Sequence, residues 1–174
     1  MAENIIYTKH IDSPLGTLIM GATVDGICLL EFTDRDILKN EFNHLCRLLD
    51  AETKEADSPY FKLLELELAE YFTGKRKAFE VPLVLTGTEF QKKVWTELLN
   101  IPYGTTRSYK QQSKALKQPE AIRAVAHANG TNRIAILIPC HRVIGENGSL
   151  TGYGGGLWRK KWLLDLESGS GKLF

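Results

Sequence analysis

A domain boundary near Leu85–Thr88, where "KRKAFEVPLVLTG" leads out of a unit rich in short β runs, divides the chain into two folding problems. Upstream, "IIYTKHI", "GTLIMGA" and "GICLLEF" are short β-rich runs joined by "DSPLG" and "TVDG", the turn chemistry of a small antiparallel meander. From Asp36 to about Glu52, the residues Ile37, Phe42, Leu45, Leu48 and Leu49 fall mostly on one helical face. Ser58 and Pro59 supply an N-cap and a first-turn proline for a second helix that stops at Gly74. "KRKAFEVPLVLTG" is expected to leave this unit as a basic turn, a strand and a connection. Residues 1–86 therefore read as an α+β domain.

Residues 87–174 read as mostly helical. Thr88 and Gln91 have capping-box spacing ahead of Phe90, Val94 and Leu98, which predicts a helix from Glu89 to about Asn100. Ser108 can cap a short helix from Tyr109 to about Leu116, and Pro119 sits just inside the start of another that ends at Asn129-Gly130. The pair carries Lys110, Lys114, Lys117 and Arg123 against a single Glu120 and reads as a candidate helix-turn-helix. "IAILI" reads as a buried strand, Asn147-Gly148 as a turn inside a glycine-rich stretch, "LWRKKWLLDLE" as an amphipathic helix and "SGSGKLF" as a loose tail.

Charge follows the same division. The first 87 residues hold nine basic and fifteen acidic side chains, net −6; the remaining 87 hold thirteen and six, net +7. A basic half of this kind is a candidate footprint for nucleic acid, with solvated faces of mixed sign as the competing explanation. No leader pattern occupies the first 30 residues and no apolar run is long enough to cross a bilayer, so a cytosolic protein is expected. Three widely spaced cysteines, Cys28, Cys46 and Cys140, argue against a disulfide framework.

Cys140 admits three readings: a buried core thiol, a metal ligand or a nucleophile. His10, Cys28, His44 and Cys46 lack the paired spacings of structural zinc sites, so no metal is expected. Cys28 and Cys46 read as core thiols. Cys140 differs because it follows Pro139 at the end of an apolar run and precedes His141 and Arg142, groups that favour a thiolate. On a strand, neighbouring side chains point to opposite faces, so Cys140 and His141 are expected to communicate through a turn or a water.

"NRIAILIPCHRVIG", with "FQKKVWTELLNIPYGTTRSYKQ", "EAIRAVAHANG" and "GSLTGYGGGLWRKKWLLDLE", resembles the 6-O-alkylguanine-DNA alkyltransferases. The likeness is dense from Thr88 to Glu167 and sparser before it, where "SPLG" and "YFTGKRKAFEVPL" still fit. It implies a ribonuclease-H-like domain with a small antiparallel sheet and helices, followed by a winged helix-turn-helix domain that carries the cysteine. It also implies a monomer without dissociable cofactor that binds duplex DNA through the minor groove. There it moves the alkyl group from O6 of guanine irreversibly to Cys140, with O4 of alkylated thymine left open as a second substrate.

By the same resemblance, His141 takes the proton of Cys140 and Glu167 orients His141, while Asn132 ties the preceding loop to the site. Tyr109 faces the flipped base. The pocket uses the carbonyls of Cys140 and Val143, the N–H of Gly154 and the side chain of Tyr153. Arg123 enters the base stack, Ala126 lets its helix approach the minor groove, and Lys110 and Lys114 contact phosphates. Arg133 and Ala135 stand where the family often has proline, and Gly154 where a side chain is common; Ala135 in particular is expected to open the face against which a benzyl adduct packs. The rival reading is a non-catalytic DNA-binding module that recognises alkylated bases.

Overall fold

In the computed structural model, which describes residues 4–169, the chain forms two compact units, Met1–Gly87 and Thr88–Phe174. In the first, β1 (Asn4–Ile11), β2 (Leu18–Thr23) and β3 (Gly26–Phe32) form the antiparallel meander. Helix α1 (Leu38–Leu49) follows, and β4 (Ala51–Glu55) then adds to β1 in parallel, so the sheet is mixed, in the order β3-β2-β1-β4. β4 was not expected because "AETKE" has no apolar alternation: it is an exposed edge held by backbone pairing, its charges guarding that edge. Asp50, in the left-handed conformation, ends α1 earlier than its periodicity suggests and turns the chain into β4.

β2 and β3 are buried at almost every position, which requires cover on both faces of the sheet. On one face Leu38, Phe42 and Leu49 of α1 pack on a core of Ile6, Ile19, Cys28, Leu29 and Leu45. Helix α2 (Pro59–Phe72), capped by Ser58, packs against β2. Residues 75–87 form no strand, only a parallel bridge from Leu83 to Ile27, since Pro82 has no N–H with which to extend a ladder. A Cβ at Gly26 would lie 2.5 Å from the Pro82 carbonyl oxygen, so this edge closes only over glycine.

Glu67 fixes the segment that leaves α2. Its fully buried carboxylate accepts from the backbone N–H of Glu80 (2.8 Å) and Val81 (3.0 Å) and pairs with Arg76 at 3.0 Å.

The second unit opens with α3 (Glu89–Leu98), whose capping box uses Thr88 and Gln91. After β5 (Arg107–Ser108), a second capping box starts α4 (Tyr109–Ala115). α5 (Ile122–Gly130) begins three residues after Pro119, which lies in the turn. The α4–α5 contact holds a buried reciprocal amide pair, Gln112 with Asn129, at 2.8 and 2.7 Å, and Trp95 of α3 donates to the Ala128 carbonyl at 2.9 Å. "IAILI" is buried as expected but is no strand. Its N–H groups fold back on it, Leu137 to Ala135 and Ile138 to Ile134, and Ile136 has φ 72°, a left-handed backbone rare for a β-branched residue.

The chain then makes a 3-10 turn, Cys140–Arg142, and β6 (Val143–Ile144), which pairs in parallel with β5. Helix α6 (Leu157–Ser168) is not amphipathic in the ordinary sense: its buried face carries Arg159, Lys160 and Glu167 beside Leu163 and Leu166. Most of "SGSGKLF", residues 170–174, lies outside the described residues.

Glu67→Ala leaves two backbone N–H groups without their acceptor and is expected to lower the unfolding free energy by about 2–4 kcal/mol in urea titration. Leu66→Ala, on the exposed side of the same helix, should change it by about 0.5 kcal/mol or less.

Candidate active site

Cys140 opens the 3-10 turn and lines a cavity of about 320 Å³ with Tyr109, Ala126, Gly152, Tyr153 and Gly154. Because the turn is helical rather than extended, Cys140 and His141 are not alternating strand residues. Cys140 is partly exposed and His141 fully buried. Asn132 braces the turn: its Nδ2 donates to the Ile138 carbonyl at 2.9 Å and to Cys140 Sγ at 3.3 Å, and its Oδ1 accepts from the Ile134 N–H at 3.0 Å. An amide N–H aimed at sulfur favours the thiolate over the thiol.

Behind the cysteine lies a buried charge cluster. His141 Nε2 is 2.8 Å from Glu167 Oε2, and Arg142 grips both carboxylate oxygens, Nε to Oε1 at 2.7 Å and an Nη to Oε2 at 2.9 Å. Arg142 also donates to the Ile101 carbonyl at 2.7 Å. It therefore neutralises Glu167, a partner that its position next to His141 does not disclose. Burial alone would raise the pKa of Glu167; hydrogen bonds and charge from His141 and Arg142 override it and hold the carboxylate at about 2.

An ionised carboxylate only accepts, so the proton between it and His141 sits on Nε2. Burial lowers the imidazole's pKa, more than Glu167 raises it. The neutral ring then presents Nδ1 as a bare acceptor, and no protein group among the described residues bonds to that nitrogen.

The other candidates divide. Tyr109 reaches the cavity, but its hydroxyl donates to the Thr151 carbonyl at 2.9 Å. Val143 is fully buried and not part of the lining; its carbonyl receives Lys160 Nζ at 2.6 Å, and the Cys140 carbonyl receives the Val143 N–H. Ala135 is buried in the turn and does not line the cavity, which removes the reason for expecting it to govern benzyl adducts. Arg133 is likewise buried, its guanidinium 5.7 Å from the Trp95 ring centre. Arg123 is exposed on α5, one turn from Ala126 and on the same face. Lys114 is exposed, and Lys110 pairs with Glu146 at 3.5 Å.

Sequence reasoning missed Lys160, Thr151 and the Gln112–Asn129 pair. For Lys160 the available signal was its spacing, three residues before buried Leu163 and seven before Glu167. Cys28 is a contrasting thiol: burial pushes it up to about 12, which leaves it un-ionised and inert.

The described residues match two family models. Residues 89–169 match the 6-O-methylguanine DNA methyltransferase DNA-binding domain, and residues 6–85 match the ribonuclease-like domain of the same proteins. The chain belongs to the 6-O-methylguanine DNA methyltransferase family. A methylated-DNA–protein-cysteine methyltransferase of Methanosarcina mazei is 51% identical over 162 residues, 93% of this chain and 97% of the relative. The Mycobacterium tuberculosis O6-methylguanine methyltransferase superposes with a TM-score of 0.81 at 39% identity, covering 96% of this chain and 95% of that one. A structure of the Mycobacterium tuberculosis protein in complex with DNA gives a TM-score of 0.79 at 40% identity, over 95% and 94% of the two chains. No helix among the described residues is long and apolar enough to cross a membrane.

A carboxylate held at about 2 instead of its ordinary 4.5 contributes stability that is complete above pH ~4.5 and is lost as the pH falls toward 2. The urea midpoint of the protein should drop through that window. Glu167→Gln should start lower at neutral pH and show a shallower acid slope; an unchanged slope would place the titrating carboxylate elsewhere.

Proposed function

We propose that Cys140 is the acceptor with which this methylated-DNA–protein-cysteine methyltransferase repairs DNA, taking the alkyl group from O6 of guanine in one irreversible event. The observation that carries the reading is the Cys140 sulfur in a base-sized cavity, with the Asn132 amide on it and the buried His141–Glu167 pair behind it. The thiol proton passes to Nδ1 of His141, directly or through a bridging water, and Glu167 stabilises the imidazolium that results. The sulfur lone pair then forms an S–C bond to the alkyl carbon while the C–O6 bond breaks, its electrons leaving with the guanine. Tyr109 hydrogen-bonds or protonates the departing guanine anion, and the proton held by His141 returns by way of solvent, so that phenol and imidazole both end neutral. The product is a thioether, which water does not cleave, so one molecule repairs one lesion.

The lesion must leave the stack to reach the cavity. α5 is suited to that step: Ala126 and Gly130 keep the face that carries Arg123 slim for a minor groove, and Arg123 is long enough to fill the space of the extruded base. Lys114 is suited to phosphate, whereas Lys110 must first leave Glu146. The related Mycobacterium tuberculosis protein, solved in complex with DNA, supports DNA as the substrate. A module that only recognised alkylated bases would have no use for a cavity-lining thiol with an amide N–H aimed at its sulfur.

Mixed with excess duplex bearing O6-methylguanine, the protein should restore guanine up to one equivalent and then stop. Cys140→Ser should restore none while binding duplex within about twofold, because a hydroxyl is scarcely ionised at neutral pH. Continued turnover, or transfer by Cys140→Ser, would contradict the reading. Arg123→Ala should slow repair in duplex tenfold or more yet leave reaction with the free modified base nearly unchanged, since unstacking costs a few kcal/mol, roughly the scale of such a loss. Equal slowing of both would assign Arg123 to the fold.

A further inference from the structure

Lys160 belongs to a run of three basic residues, Arg159 to Lys161, yet it is fully buried. A buried ammonium is tolerated when each of its N–H bonds finds an acceptor. Nζ finds three: the carbonyls of Val143 (2.6 Å), Thr151 (3.1 Å) and Gly152 (3.1 Å). Val143 follows the turn that carries Cys140, and Thr151 and Gly152 line the cavity. One ammonium thus joins the wall of the cavity to the strand behind the cysteine.

The Thr151 carbonyl has a second donor, the Tyr109 hydroxyl at 2.9 Å, and the Tyr109 ring lies 5.9 Å from Nζ. In the proposed reaction that hydroxyl serves the base, which requires it to let go of Thr151. We propose that Lys160 is a positioning residue for the transfer: it fastens the Thr151–Gly152 wall and, by keeping the Thr151 carbonyl satisfied, allows the Tyr109 hydroxyl to turn to the bound base. A carbonyl has two lone pairs, so both donors are held in the free protein, and departure of the hydroxyl leaves no orphaned acceptor. Without the lysine, the hydroxyl would be the carbonyl's remaining donor at this junction and its release would strand a polar group. The proposal rests on Cys140 being the alkyl acceptor.

Another role for the same charge is to stabilise the Cys140 thiolate. The ionisable groups facing Nζ are the Cys140 thiol, the Tyr109 phenol and the His141 imidazole, and burial pushes the ammonium down to about 8. The two roles separate by measurement. In Lys160→Met, hydrogen exchange of the peptide covering residues 149–156 should accelerate at least tenfold and methyl transfer should slow at least tenfold. Alkylation of Cys140 by iodoacetamide should change less than threefold. Unchanged exchange with a parallel loss of alkylation and transfer would overturn the proposal in favour of the thiolate role.

Tyr109→Phe removes an exposed hydrogen bond and provides an independent test should Lys160→Met not fold. Lys160 still holds the wall in that variant, so exchange over residues 149–156 should stay within threefold of the parent while transfer falls. Faster exchange, tenfold or more, would show that the hydroxyl and not the ammonium holds the wall. Absence of methylation at Cys140 in the parent protein would instead defeat the reading of Cys140 and leave the exchange results to decide the structural half alone.

Discussion

The second unit is organised around one buried carboxylate. Glu167, near the end of α6, takes His141 on Oε2 and one edge of the Arg142 guanidinium, Nε and an Nη, across both oxygens, while the other Nη of Arg142 reaches on to the Ile101 carbonyl. Removing either charged partner, Glu167 or Arg142, leaves an uncompensated buried charge, worth roughly 3–5 kcal/mol, so helix, turn and preceding loop are held in one arrangement. The same geometry fixes the proton on Nε2 and leaves Nδ1 bare. The structural constraint and the proposed base are therefore one feature of the fold.

Around that centre the structure uses polar groups where a small domain ordinarily uses hydrocarbon. Asn132 braces the cysteine turn, Gln112 and Asn129 lock α4 to α5, and Lys160 gathers three carbonyls. Each is satisfied by specific geometry, and each restricts the chain to fewer alternative packings than leucines would. In the proposed reaction that rigidity has a purpose, because a single-use nucleophile gains from a site organised before the base arrives.

Local chemistry was legible where it was local. The capping boxes at Thr88 and Ser108 and the Ser58 cap mark helix starts that tertiary contacts do not shift. β4 was hidden because an exposed edge strand needs no apolar alternation, and "IAILI" was misread because a continuous apolar run buries equally well as strand or turn. Cys140, His141 and Glu167 could be named through resemblance, but the true partner of Arg142 could not, since a guanidinium next to a histidine in sequence gives no sign of which carboxylate it will grip. Lys160 hid among basic neighbours that read as solvent-facing. Ala135 stands near the cysteine in sequence but is buried and not part of the cavity's lining.

In the proposed reaction His141 serves Cys140 as the base, from a neutral ring whose proton is on Nε2. Nitrogen-15 NMR of the histidine side chains in the resting protein at neutral pH reads this directly. His141 should show an Nε2 of protonated, pyrrole type and an Nδ1 of unprotonated, pyridine type, with Glu167→Gln disturbing that pattern. An imidazolium at pH 7, or the opposite tautomer with the proton on Nδ1, would contradict it.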